Sequence, residues 1–245
     1  MKKLRVGMIV PSLNTIAEDD FRAYCPDGVA YHVHRIRLRK EAGRVTMESL
    51  TRAYLEAIDE AGYLKDLSPD AIAFNCTGAS VANGKDCDAR LAQRMSDALE
   101  IPSTNTMVAI KQALRALKAD GILHVCPFSD EFSSVERQSL IDAGFHVLRT
   151  VSLGFTDARA AAQMEPAEIT AVVRRQVDGD TRAVLLSCAN VRAFEAADEL
   201  ERGLDLPVVT SNQAMLWSVL HAAGWRGDAH GEVRGAGRLF QVGRS

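Results

Sequence analysis

Two cysteines stand where short apolar runs give way to small and polar residues. The run from Ala71 to Phe74 leads into Asn75, Cys76, Thr77 and Gly78, and the run from Ala183 to Ser187 leads into Cys188, Ala189 and Asn190. A thiol at a strand's end, beside the amides that open the next helix, has its thiolate favoured by the local positive potential. Thiolates take protons from carbon as general bases and attack polarised double bonds as soft nucleophiles. Two of them on opposite faces of one substrate can divide the work, one as base or nucleophile and the other as acid. Neighbouring hydroxyls, amides and backbone N–H groups would hold a carboxylate and stabilise an enolate-like intermediate. A single cysteine ending an apolar strand is more often core than reagent. Matched placement of two weighs for chemistry, and placement by itself leaves both readings open.

The remaining candidates carry less. Cys126 also ends a strand-like run, but Pro127 follows it and it reads as packing; Cys25 and Cys87 read as structural. Five cysteines, with no C-x-x-C pair, argue against a disulfide framework or a zinc site and for a reducing cytoplasm. His32 and His34 alternate on one strand with no further ligands in view, and His124 and His146 lie inside strand runs. Gly235 and Gly237 do not form a dinucleotide fingerprint, because they neither follow a strand nor open a βαβ unit. No cofactor and no metal is expected.

The elements that must position the thiols alternate along the chain. Strands are expected at Leu4 to Val10, Val29 to Leu38, Ala71 to Phe74, Gly121 to Val125, Phe145 to Val151, Ala183 to Ser187 and Leu206 to Val209. Helices are expected from Thr46 to Lys65, from Gly84 to Leu99, around Ile110 to Leu117, through Val135 and Leu140, after Pro166, and from a cap at Asn212 to Gly224. The Gly- and Arg-rich tail reads as partly irregular. This is an α/β pattern, two pseudo-symmetric flavodoxin-like or Rossmann-like halves built on parallel sheets, with the active site between them. The expected division is residues 1–117 plus a returning 212–245 for the first half, and 118–211 for the second. Sites in such sheets lie at the carboxyl ends of the strands. That rule selects Pro11 to Thr15, Asn75 to Gly78, Cys126 to Ser129 and Ser187 to Asn190.

Composition sets the partners. Lys+Arg 29 against Asp+Glu 32 leaves a net charge of −3, which provides no field for nucleic acid or an anionic membrane. The apolar stretch at the N-terminus stops at Pro11 and reads as a core strand, neither a signal peptide nor a span.

The stretch from Gly7 to Thr15, GMIVPSLNT, with Glu18 after it, resembles the opening signature of the maleate cis–trans isomerases. Ile101 to Thr106 followed by Ala113 to Leu117, Leu186 to Cys188 and Leu206 to Ser211 continue the resemblance across the chain. The wider grouping is the aspartate/glutamate racemase superfamily, which also holds hydantoin racemases and arylmalonate decarboxylases. Gly237 to Phe240 is similar to the decarboxylase tail. The resemblance implies that Cys76 adds to the double bond of a cis-diacid, that the C–C bond rotates, and that elimination follows with Cys188 handling the proton. It implies that Asn14 binds a substrate carboxylate, helped by backbone amides after each cysteine. Ser12, Thr77, Gly78, Phe128, Ser129, Ala189 and Asn190 complete the expected pocket. Arylmalonate decarboxylases carry glycine in place of the first cysteine, so both thiols argue against that reaction. Phe128 stands where the isomerases and decarboxylases carry tyrosine, and it lacks a hydroxyl. A homodimer or homotetramer is also implied. Racemisation of an amino acid or hydantoin, an arylmalonate-type decarboxylation, and a non-catalytic binder of small acids are the alternatives.

Overall fold

In the computed structural model, residues 3–242 are described. The first sheet is built from β1 (Leu4–Pro11), β2 (Val29–Ile36), β3 (Ala71–Phe74) and β4 (Ser103–Asn105), interleaved with α1 (Ala17–Tyr24), α2 (Met47–Lys65), α3 (Thr77–Val81) and α4 (Cys87–Leu99) and followed by α5 (Thr106–Ala116). The second comprises β5 (Ile122–Cys126), β6 (Val147–Ser152), β7 (Ala183–Leu186) and β8 (Val208–Thr210), with α6 (Asp130–Asp142), α7 (Ala158–Ala162), α8 (Pro166–Gln176) and α9 (Ala193–Leu204) between them. Helices α10 (Ser211–Ala222) and α11 (Gly227–His230) and a 3₁₀ turn at Arg238–Gln241 end the described chain.

Both sheets are parallel, ordered β2-β1-β3-β4 and β6-β5-β7-β8. The identical order is that of a flavodoxin-like half, and it puts the switch in strand order between β1 and β3, and again between β5 and β7. The crevice at each switch opens beyond the strand ends that carry the two cysteines. Val6, Met8, Ile9 and Val10 of β1 and all of β3 and β5 are buried, as a strand covered by helices on both faces requires. Helix α2 starts on a capping box in which Thr46 and Ser49 bond each other's backbone N–H.

One apolar layer joins the two sheets. It runs from Met8, Ala73 and Phe21 through Met107, Ile110, Met215 and Leu220 to Ile122, Leu185 and Phe194. Tyr24 stacks on Phe194 across it, centroids 3.9 Å apart. Two outer layers cover the far faces, one around Tyr54 and Leu91, the other around Val173 and Leu200.

Some expectations shift. Asn212 does not cap α10; Thr210 does, accepting from Gln213 N–H while the Gln213 side chain accepts from Thr210 N–H. The tail is more ordered than its composition suggests. Arg238 N–H donates to Glu201 Oε2 at 2.6 Å, Gln213 Nε2 donates to Ala236 O at 2.8 Å, and Leu239 and Phe240 are buried. Helix α1 lies in a stretch with no periodic apolar face, and only Ala17, Asp20 and Phe21 of it are buried.

Candidate active site

A cavity of about 450 Å³ lies at the carboxyl ends of both sheets and is lined from both. That volume suits a small-molecule site. Of the residues expected there, Asn14, Cys76, Thr77, Gly78, Phe128, Ser129, Cys188, Ala189 and Asn190 line it. Ser12 does not. It is exposed on the outer side of the loop, where its N–H continues the β1–β2 ladder to Ile36 O and its Oγ accepts from Leu38 N–H.

Cys76 has extended backbone (φ −148°, ψ 106°) and is the residue from which α3 departs. The first amides of that helix, Thr77 and Gly78, have no intrahelical acceptor. Gly78 lets α2 approach, since a β-carbon there would meet Leu50 Cδ1 at 3.0 Å.

Cys188 is held differently. Its φ of 112° is a conformation that residues with a β-carbon seldom adopt, costing about 1–3 kcal/mol unless neighbours enforce it. Two hydrogen bonds do so: Cys188 N–H donates to Ser211 Oγ at 2.9 Å, and Asn190 N–H donates to Cys188 Sγ at 3.3 Å. Helix α9 begins only at Ala193, so the donor at this sulfur belongs to a strained turn instead of a helix end.

Burial disfavours both thiolates, contrary to the expectation that the local potential favours them. Burial pushes Cys76 up to about 11, against the pull of the Ala79 amide and with added repulsion from Glu136. Burial pushes Cys188 higher still; the Asn190 amide opposes it, and the charges of Glu136 and Cys76 reinforce it. Desolvation outweighs the few amides at each sulfur.

Hydrogen bonds tie the two cysteine loops together. Thr77 Oγ1 lies 3.0 Å from Ser211 Oγ, which accepts the Cys188 N–H, so one hydroxyl joins both loops. Beneath it, Asn75 Nδ2 donates to Asn212 Oδ1 at 3.0 Å, and Asn212 Nδ2 donates to Ala189 O at 3.1 Å and to Asp20 Oδ2 at 2.6 Å. Asn14 Nδ2 donates to Ala189 O at 2.9 Å while its Oδ1 accepts from Ile16 and Ala17 N–H, leaving one N–H without a partner among the described residues. Asn190 Oδ1 accepts from Thr15 N–H, and its Nδ2 donates to Ala158 O. Asn14 and Asn190 therefore staple the halves as well as lining the cavity.

Ser211 and Asn212 follow a parallel strand, so the same strand-end rule would have found them. Glu136 in α6 and the loop carrying Arg44, Val45 and Thr46, which also line the cavity, have no comparable signal. Cys126 is fully buried and outside the lining. Among the described residues no group of three or more His, Cys, Asp or Glu side chains is placed to hold a metal ion, and no helix is long and apolar enough to cross a membrane.

Two pseudo-equivalent parallel sheets with a thiol from each at a shared crevice define a class of α/β proteins. The chain belongs to the arylmalonate decarboxylase family, whose profile matches residues 6–240. It is 27% identical over 242 residues to the arylmalonate decarboxylase of Bordetella bronchiseptica, covering 96% of this chain and 95% of the relative. It is also 27% identical over 249 residues to the maleate isomerase of Pseudomonas putida, covering 96% of each. A solved structure of a Nocardia farcinica maleate cis–trans isomerase mutant, with a covalently bound succinylcysteine intermediate, has the same fold. Its TM-score is 0.86 at 22% identity, with 97% of this chain and 98% of that one covered.

Proposed function

We propose that the protein is a cofactor-independent cis–trans isomerase of a small, maleate-like unsaturated acid, with Cys76 as nucleophile and Cys188 as acid and base. The observation that carries this is the pair of thiols on one cavity, one at each sheet's switch point, joined through Ser211. In the minor fraction of molecules whose Cys76 has already lost its proton to solvent, the thiolate adds to one alkene carbon, forming a C–S bond, and the π pair moves to the other carbon. Cys188 gives its proton to that carbon. The former double bond is now single and rotates. The Cys188 thiolate then removes the proton, the pair re-forms the alkene in the trans geometry, and Cys76 leaves as thiolate.

The arrangement supports each step. The strained Cys188 turn presents an N–H to its own sulfur, which stabilises the thiolate that forms when the proton is given up. The remaining N–H of Asn14 and the open amides of α3 suit a carboxylate. The intermediate reported in the Nocardia relative is of the kind this sequence of steps requires. Cys76 also weighs against an arylmalonate-type decarboxylation, which by the resemblance proceeds with one thiol. A reducing cytoplasm suits five free cysteines.

The test is intact mass spectrometry of Cys188→Ser incubated with maleate, paired with proton NMR of wild type in deuterated water. A one-substrate mass increase localised to Cys76, and a new fumarate vinyl resonance from wild type but not Cys76→Ala, are expected. Unchanged turnover in folded Cys76→Ala would sink the mechanism. Deuterium entering a Cα instead, with no vinyl product, would replace it with racemisation.

A further inference from the structure

Glu136 has no part in the steps above, yet it lines the cavity beside both cysteines and is only 3% exposed. Its position is set from one side. Ser187 Oγ donates to Glu136 Oε2 at 2.6 Å, and His124 Nε2 lies 3.3 Å from the same oxygen and 2.9 Å from Ser187 Oγ. His124 is fully buried, with Nδ1 3.4 Å from Thr150 Oγ1. The other oxygen, Oε1, has no hydrogen-bond partner among the described residues. It is not sealed away either, because Thr170 Oγ1 is the one enclosed side-chain N or O atom without a partner in that set. Oε1 is therefore reached from the cavity.

The other charged lining residues, Arg44 and Glu131, are exposed. Glu136 is the enclosed charge, and its field is felt at both sulfurs. Beside it the wall is formed by Phe128 and Phe132, whose rings meet edge to face and offer no donor. A second substrate carboxylate placed here would meet a like charge in a poorly solvated site, and Oε1 would stay without a donor. A group bearing N–H satisfies Oε1 instead.

Resting on the two-thiol, carboxylate-binding reading, we infer that Glu136 determines specificity. The preferred substrate carries an N–H donor, a carboxamide or an ammonium, at the end away from its anchored carboxylate, and a diacid such as maleate is bound less tightly and turned over as a poorer substrate. A site built to hydrogen-bond a substrate N–H discriminates strongly against an analogue that lacks it.

The test is calorimetric binding of three saturated compounds that cannot undergo thiol addition: succinate, succinamate and 4-aminobutyrate. Wild type is expected to bind succinamate or 4-aminobutyrate about tenfold or more tighter than succinate. Which of the two is preferred tells amide from ammonium. Glu136→Gln, checked for a wild-type melting temperature, should bring succinate close to the better nitrogen compound. Wild type binding succinate as tightly as the better nitrogen compound overturns the assignment, whether or not the variant folds. Binding of none of the three overturns the carboxylate-binding reading as well.

Discussion

Asp20 sits 3% exposed beneath the cysteine loops, and burial raises it from the usual 3.8 to about 7. The Asn212 Nδ2 donor and Arg192 pull it down, while Glu195 and Asp19 push it up, and burial prevails. The folded carboxyl keeps its proton over a range where the unfolded one has lost it. Its contribution to stability is therefore complete below about pH 4 and is lost as pH rises to about 7. At about 1.4 kcal/mol per pH unit, the separation from 3.8 to about 7 corresponds to about 4 kcal/mol. Asp20→Asn keeps an oxygen that accepts from Asn212 and removes the titration. Urea unfolding followed by Trp217 and Trp225 fluorescence, in steps from pH 4 to pH 8, is expected to give similar stabilities at the acid end. The variant should gain by up to about 4 kcal/mol at the alkaline end, most of it below pH 7. A stability difference that stays constant across the range would refute a buried, proton-retaining Asp20.

Two further outcomes follow from the site. Because burial lifts Cys76 to about 11, its alkylation by iodoacetamide, read by peptide mass spectrometry, should quicken about tenfold for each pH unit from 7 to 10; a plateau near neutrality would mean a thiolate already formed. Ser211→Ala removes the hydroxyl that joins Thr77 to the Cys188 N–H. It should cost about 1–3 kcal/mol of stability and lower kcat more than it raises KM, and an unchanged kcat would show that the loops hold their positions without it.

Much of the framework was legible in the chain. Continuous apolar runs such as AIAF and AVLL are what a strand covered on both faces requires, and the polar residues just after them mark the open ends of parallel strands. Those local signals were enough to pick out Cys76, Cys188, Asn14 and Asn190 as cavity residues. They were not enough for Ser12, whose neighbours Pro11 and Leu13 face the cavity while it turns outward to bond Leu38. Nor could they show that Thr210, two residues before Asn212, takes the cap and frees Asn212 to reach Asp20, 192 positions away.

What the sequence determined by itself was the alternation of elements, the two thiols at strand ends and the family whose pattern they share. These depend on residue type and short spacing, which act over a few neighbours. Only the tertiary structure decided the ionisation of the thiols, the joining of their loops through Ser211 and the exposure of one Glu136 oxygen to the cavity. Desolvation and long-range hydrogen bonds arise only when distant segments are packed together.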